Sequence, residues 1–181
     1  IKAERICVRI AEKTGGLIFP TMWWGTGGGH GDFQWTHYQP EDAVVSMLTT
    51  TTQQLISFGF RVIVLMAGHY PWKNLLDRHL LSIQEAHPDV LLIWGTEASM
   101  GGKGLKLPGD HAAREETSYG LALFPGLVDL DAMHSGRNET ESWPEGRMPP
   151  PEQRHPGVEF DASHPLFAQL GEDARTATKA R

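Results

Sequence analysis

The sequence predicts an α/β protein built on a parallel sheet, and three observations carry that prediction. Val62-Ile63-Val64-Leu65-Met66 is apolar at every position, as expected of a central parallel strand covered on both faces. Val90-Leu91-Leu92-Ile93-Trp94 is a second run of the same kind. The segment between them, from Trp72 to Ala86, has helical spacing, and Pro88-Asp89 turns the chain before the second strand. Strand, helix, strand at this spacing is a βαβ unit, whose crossover is right-handed.

The other elements follow in order. Ala3, Ile6, Cys7, Ile10 and Ala11 predict an amphipathic helix over 2–14, ended by Gly15-Gly16. Leu17-Ile18-Phe19 before Pro20 predicts a short buried strand. An aromatic and glycine-rich loop then runs from Met22 to Gly31. Pro40-Glu41-Asp42 has the composition of a helix start, and the helix runs to Phe58, where Gly59 stops it. Val44, Val45, Leu48, Leu55 and Ile56 form its buried face, although Thr49–Thr52 weakens its middle. Residues 95–109 read as a loop. A further helix runs from about Ala112 to Phe124. Residues 134–157, rich in Pro, Gly and charge, read as a long loop or an arm, and a last helical pattern begins at Glu172.

Composition narrows the function classes. The 181 residues suit one domain. Sixteen basic against twenty-two acidic residues give a net charge of −6, which argues against a nucleic-acid partner. Cys7 is the only cysteine, so a disulfide framework and a cysteine zinc site are excluded. No apolar run reaches the ~18 residues of a membrane span, and the start at Ile1 carries no signal-like segment. A soluble, cytoplasmic protein is expected, with Ile1 not its translational start.

Nine histidines and six tryptophans are many for this length. In an open α/β sheet, ligands bind beyond the carboxyl ends of the strands. His30, His69 and His111 each follow a predicted strand into that region. Gly68-His69 is the strongest pair. Glycine permits close backbone approach, and a histidine just past a central strand is rigidly held, as a metal ligand needs to be. A histidine bonded to its own loop would look the same. In Gly109-Asp110-His111-Ala112-Ala113-Arg114-Glu115-Glu116, the two glutamates differ by about 100° around a helix axis. One can therefore face the sheet while the other faces solvent. His111 and the inward glutamate suit metal ligation or acid/base work. An N-capped helix start with acids on its dipole fits equally well. The glycines of 25–31 match neither a dinucleotide fingerprint nor a phosphate-binding Walker loop. Trp23, Trp24, Trp35 and Trp72 could wall a pocket for a small polar ligand.

The stretch His111-Ala112-Ala113-Arg114-Glu115-Glu116-Thr117-Ser118, followed by Leu121 to Val128, resembles the creatininase (creatinine amidohydrolase) family, whose motif reads His-Ala-Gly-x-x-Glu-Thr-Ser. Gly59-Phe60-Arg61 and the strand into Gly68-His69 are similar to the family's Gly-Phe-x-x strand ending in Asn-Gly-His. Trp24-Gly25 through His30 to Phe33 and Thr36 is similar to its Tyr-Gly-x-Ser-x-Glu-His-x-x-Phe-Pro-Gly-Thr stretch. Gly157-Val158 and residues 174–180 fit more loosely. The resemblance implies a three-layer α/β/α fold over residues 1–181 and a homohexamer of two-metal hydrolases that use zinc or manganese. It implies His69 and Glu116 as metal ligands, and His111 as general acid/base or as an anchor for the tetrahedral intermediate. His30, Tyr70 and Trp72 fall to substrate binding. Metal-activated water would attack the carbonyl carbon of a small cyclic or amide-like substrate, breaking a C–N bond.

The departures bear on substrate and site. Where some members read Gly-His-Tyr-Glu-Asn, this chain has Gly68-His69-Tyr70-Pro71-Trp72, so creatinine itself is not implied. Gly27 and Gly29 replace the family's Ser and Glu. The family's other ligands lie in a Glu-x-His-Gly-x-His motif and a following Asp, ahead of the first helix. The chain is therefore expected to lack a first strand, that metal-binding loop and the end of its last helix. Two alternatives remain at this point: C–C hydrolysis of a cyclic ketone at the same metals, and a non-catalytic binding or scaffolding subunit.

Overall fold

The structure is a computed structural model, and it describes residues 1–26, 37–100 and 114–130. The described residues fall into two units. The first holds most of residues 1–107, and the second holds the segment from 108 onward together with Lys2.

The first unit opens with α1 (Lys2–Thr14), which ends where Gly15 takes φ 79° and returns its N–H to the Ala11 carbonyl. Next come α2 (Glu41–Ser57), β1 (Val62–Met66), α3 (Trp72–Ala86), β2 (Leu91–Gly95) and the short α4 (Glu97–Met100). β1 and β2 pair in parallel, with Val62 opposite Leu91 and Met66 opposite Gly95. The βαβ reading therefore stands, with β2 one residue later than predicted. α2 is continuous through its threonines: Thr49 and Thr52 donate their hydroxyls to the Val45 and Leu48 carbonyls four residues back, both at 2.8 Å, and Thr52 is buried on the helix's packed face.

The core lies on one face of the sheet. Leu48 of α2 and Leu75, Leu76, Leu80 and Ile83 of α3 close over Ile63, Val90 and Leu92. Leu80 is fully buried. On the opposite face Val62 and Leu91 remain 57% and 53% exposed. The expected cover on both faces is thus met on one, because the described helices supply only that side.

Two local expectations are corrected. Leu17-Ile18-Phe19 is neither a strand nor buried: Leu17 is 84% exposed. Among the described residues it has no neighbouring strand to complete a ladder. Residues 97–100, read as loop, form α4, started by Thr96, whose carbonyl accepts the N–H groups of Ser99 and Met100.

In the second unit α5 (Arg114–Leu123) is followed by a 3₁₀ turn, Pro125–Leu127. Gly120 is buried there because a Cβ would sit 2.7 Å from Val128 Cγ2. The predicted arm at 134–157 and the helix from 172 lie outside the described residues. Among the described residues no helix is long and apolar enough to cross a membrane.

Candidate functional site

The carboxyl ends of β1 and β2 meet at one hydrogen bond. Ala67 N–H donates to the Gly95 carbonyl at 2.7 Å, one residue past the ladder. From that point Gly68-His69-Tyr70 leaves one strand and Thr96-Glu97 leaves the other. Gly68 is where α1 comes near, since a Cβ on it would lie 3.4 Å from the Ala3 methyl. That is ordinary van der Waals contact, so the approach of α1 does not by itself require glycine at this position.

His69 is half-buried, with Nε2 shielded from solvent. The carbonyls of His69 and Tyr70 accept the N–H groups of Trp72 and Lys73, at 3.1 and 3.0 Å. This couples the His69 backbone to the first turn of α3. Pro71 stands just ahead of that helix with φ −56°, which suits a residue with a fixed φ and no N–H. Tyr70 donates its hydroxyl to Glu97 Oε1 at 2.9 Å.

Glu97 is the residue that sequence reasoning missed. Only 7% of it is exposed, so a carboxylate is buried two residues past the end of β2. Thr96 beside it is 2% exposed, and its N–H donates to Ser99 Oγ at 2.9 Å. The usable signal was position: an acid two residues past the second strand, at the sheet end where ligands bind.

Trp72 packs against the core cluster and lies beneath Gly25, where a Cβ would approach its Nε1 to 3.3 Å. Trp24 meets His37 in a tilted ring contact with centroids 5.2 Å apart. Cys7 in α1 is half-buried, and burial pushes its thiol pKa up, so it is not an activated nucleophile.

In the second unit Glu116 lies in the first turn of α5, and its carboxylate is ion-paired with the Lys2 ammonium. Both side chains are mostly shielded, at 23% and 11% exposure. Of the predicted residues, His69, Tyr70 and Trp72 lie together where β1 passes into α3, while Glu116 is described within the second unit. His30 and His111 lie outside the described residues. An imidazole and a carboxylate are the nitrogen and oxygen donors that zinc and manganese accept. Among the described residues, no group of three or more His, Cys, Asp or Glu could hold a metal ion.

The family model for creatininase (creatinine amidohydrolase) matches residues 1–179. A creatinine amidohydrolase of Pseudomonas putida is 26% identical over 162 residues, which cover 70% of this chain and 56% of that protein. The chain thus spans a little over half the length of that curated relative. Among solved structures, a creatininase variant complexed with creatine is similar at a TM-score of 0.64 and 23% identity, covering 96% of this chain and 72% of the other. A creatininase variant of Zn-Zn type gives a TM-score of 0.61 at 22% identity, covering 97% and 72%. At these identities the structural likeness establishes the fold.

Proposed function

The chain belongs to the creatininase (creatinine amidohydrolase) family, and from that premise we propose that it takes part in metal-dependent hydrolysis of a C–N bond in a small cyclic or amide-like molecule. The observation that carries this reading is the position of His69. It lies three residues past the carboxyl end of β1, its Nε2 is shielded from solvent, and its backbone is tied to α3. That rigidity is what a metal-ligating imidazole requires.

In this reading His69 and Glu116 hold zinc or manganese. The zinc form of the structural relative supports zinc as the first ion to test. The metal supplies a lowered water pKa and polarises the substrate carbonyl. His111 holds and moves a proton as general acid/base. Tyr70 and Trp72, with His30, contact the substrate and restrict its orientation. The Glu116 carboxylate would hold the ion in place of its pairing with Lys2. The creatine-bound relative supports a small polar substrate. A homohexamer belongs to the same proposal, with mass in solution as its check.

The test is metal analysis of the purified protein, followed by assay against lactams and cyclic ureas. Bound zinc or manganese with ring opening of such a compound is the expected result. A folded protein that takes up neither metal and hydrolyses none of them would sink the reading.

A further inference from the structure

The geometry points to Glu97 as a positioning residue, which fixes the Tyr70 ring beside His69 so that Tyr70 presents one orientation to the substrate; the substrate part of this role rests on the hydrolase reading above. Three observations carry it. First, Glu97 is a carboxylate with 7% exposure. Burying a charge is unfavourable unless hydrogen bonds or opposite charge compensate it, so structural packing alone would favour an apolar residue here. Second, its Oε1 accepts the Tyr70 hydroxyl at 2.9 Å. A phenol bonded to a buried carboxylate keeps one ring position, because a charge-assisted hydrogen bond is stronger and more directional than a neutral one. Third, both residues are held from behind. Tyr70 is anchored through its carbonyl to Lys73 N–H at 3.0 Å. Glu97 follows Thr96, whose N–H donates to Ser99 Oγ at 2.9 Å. The Ala67 to Gly95 bond keeps the two strand ends in register. The ring is therefore fixed between two strand termini, next to the proposed ligand His69.

The variants that test this are Glu97→Gln, which keeps an acceptor oxygen, Glu97→Asp, which keeps the charge but withdraws it by one methylene, and Tyr70→Phe. Each is made in the full chain with 3-fluorotyrosine at its three tyrosines. The fluorine line lost in Tyr70→Phe reports Tyr70. Glu97→Asp is expected to displace that line, and Glu97→Gln to leave it near its wild-type position. Zinc content should be unchanged in both. With the best substrate among the lactams and cyclic ureas, Glu97→Asp should raise KM about tenfold, the scale of one lost hydrogen bond to a charged group. kcat should move much less, and Glu97→Gln should restore most of the KM. A Tyr70 line that stays put in Glu97→Asp overturns the proposal. A fall in zinc content with the line unmoved also overturns it and makes Glu97 a ligand. If the wild-type protein hydrolyses nothing, the hydrolase reading fails and the substrate role with it. The fluorine line then still decides whether Glu97 fixes the ring.

Discussion

Ala67 donates its N–H to the Gly95 carbonyl at 2.7 Å, and beyond this bond the two strand ends bring Tyr70 and Glu97 into hydrogen-bond contact. Gly95 can hold that position only as glycine. Its φ is +153°, and an added Cβ would lie 2.3 Å from Ser99 Oγ and 2.9 Å from Met100 Cγ. Gly95→Ala is therefore expected to push α4 away from β2 and disturb Glu97. The expected loss of stability is about 1–3 kcal/mol, from backbone strain and overpacking. Urea unfolding measures it, and an unchanged midpoint would show that the turn accommodates a side chain.

Gln84 gives a second prediction. Its Oε1 accepts the Leu92 N–H at 2.8 Å, while its Nε2 donates to the carbonyls of Val90 and His87, at 2.7 and 3.2 Å. One α3 side chain thus satisfies an amide of β2 and two carbonyls of the segment that leads into it. Gln84→Ala should cost about 1–3 kcal/mol by leaving these groups without it. Amide hydrogen exchange at Leu92 should accelerate in Gln84→Ala and less in Gln84→Glu, which keeps the acceptor. Equal exchange in the two variants would remove Gln84 from this role.

Why some of this was legible in the sequence and some was not has a physical basis. β1, α3 and β2 could be read because continuous apolar runs and helical spacing report burial directly. Leu17-Ile18-Phe19 could not, because its composition says what it would bury and nothing about whether a ladder partner stands beside it. The threonines of α2 looked like a weakness, yet Thr52 is buried with Val44 and Leu48 on the packed face, and tertiary packing overrides intrinsic propensity. Glu97 was missed because α4 has four residues, too few for any periodicity. Its burial comes from packing beyond the sheet end, which spacing does not encode. His69 was legible as a candidate because the strand before it was, whereas the Lys2 partner of Glu116 lies 114 residues away in sequence.

Asp77 predicts a pH dependence. Its carboxyl is held below the ordinary value of 3.8, first by the hydrogen bond from Lys73 and then by that from Trp94 Nε1. A carboxyl with a lowered folded value contributes stability that is complete above its unfolded value and lost as pH falls through the folded one. The side chain is 44% exposed, so the contribution is that of a surface pair, screened by salt. The stability difference between wild type and Asp77→Asn should be constant above the ordinary value and shrink below it. Urea unfolding at stepped pH checks this, and a difference that grows as pH falls would reverse the sign.

The last prediction concerns the proposed metal ligands His69 and Glu116. The Lys2 ammonium pairs with the Glu116 carboxylate, and both are largely shielded from water. If Glu116 is the ligand proposed above, a cation arriving there meets the Lys2 ammonium, and Lys2 would oppose its binding. Lys2→Met, which keeps the aliphatic stem, should tighten zinc binding about tenfold if it relieves one such pairing. Glu116→Gln should weaken zinc binding, and His69→Ala should abolish it. Calorimetric titration with zinc and then with manganese measures all three against the wild type. Zinc affinity that rises in Lys2→Met and falls in Glu116→Gln would identify Glu116 as a ligand in competition with Lys2. If Glu116→Gln binds zinc as the wild type does, Glu116 serves only to pair with Lys2 and the second ligand must be sought elsewhere. If His69→Ala retains its zinc, the imidazole at the end of β1 is structural, and the reading that rests on its position is wrong.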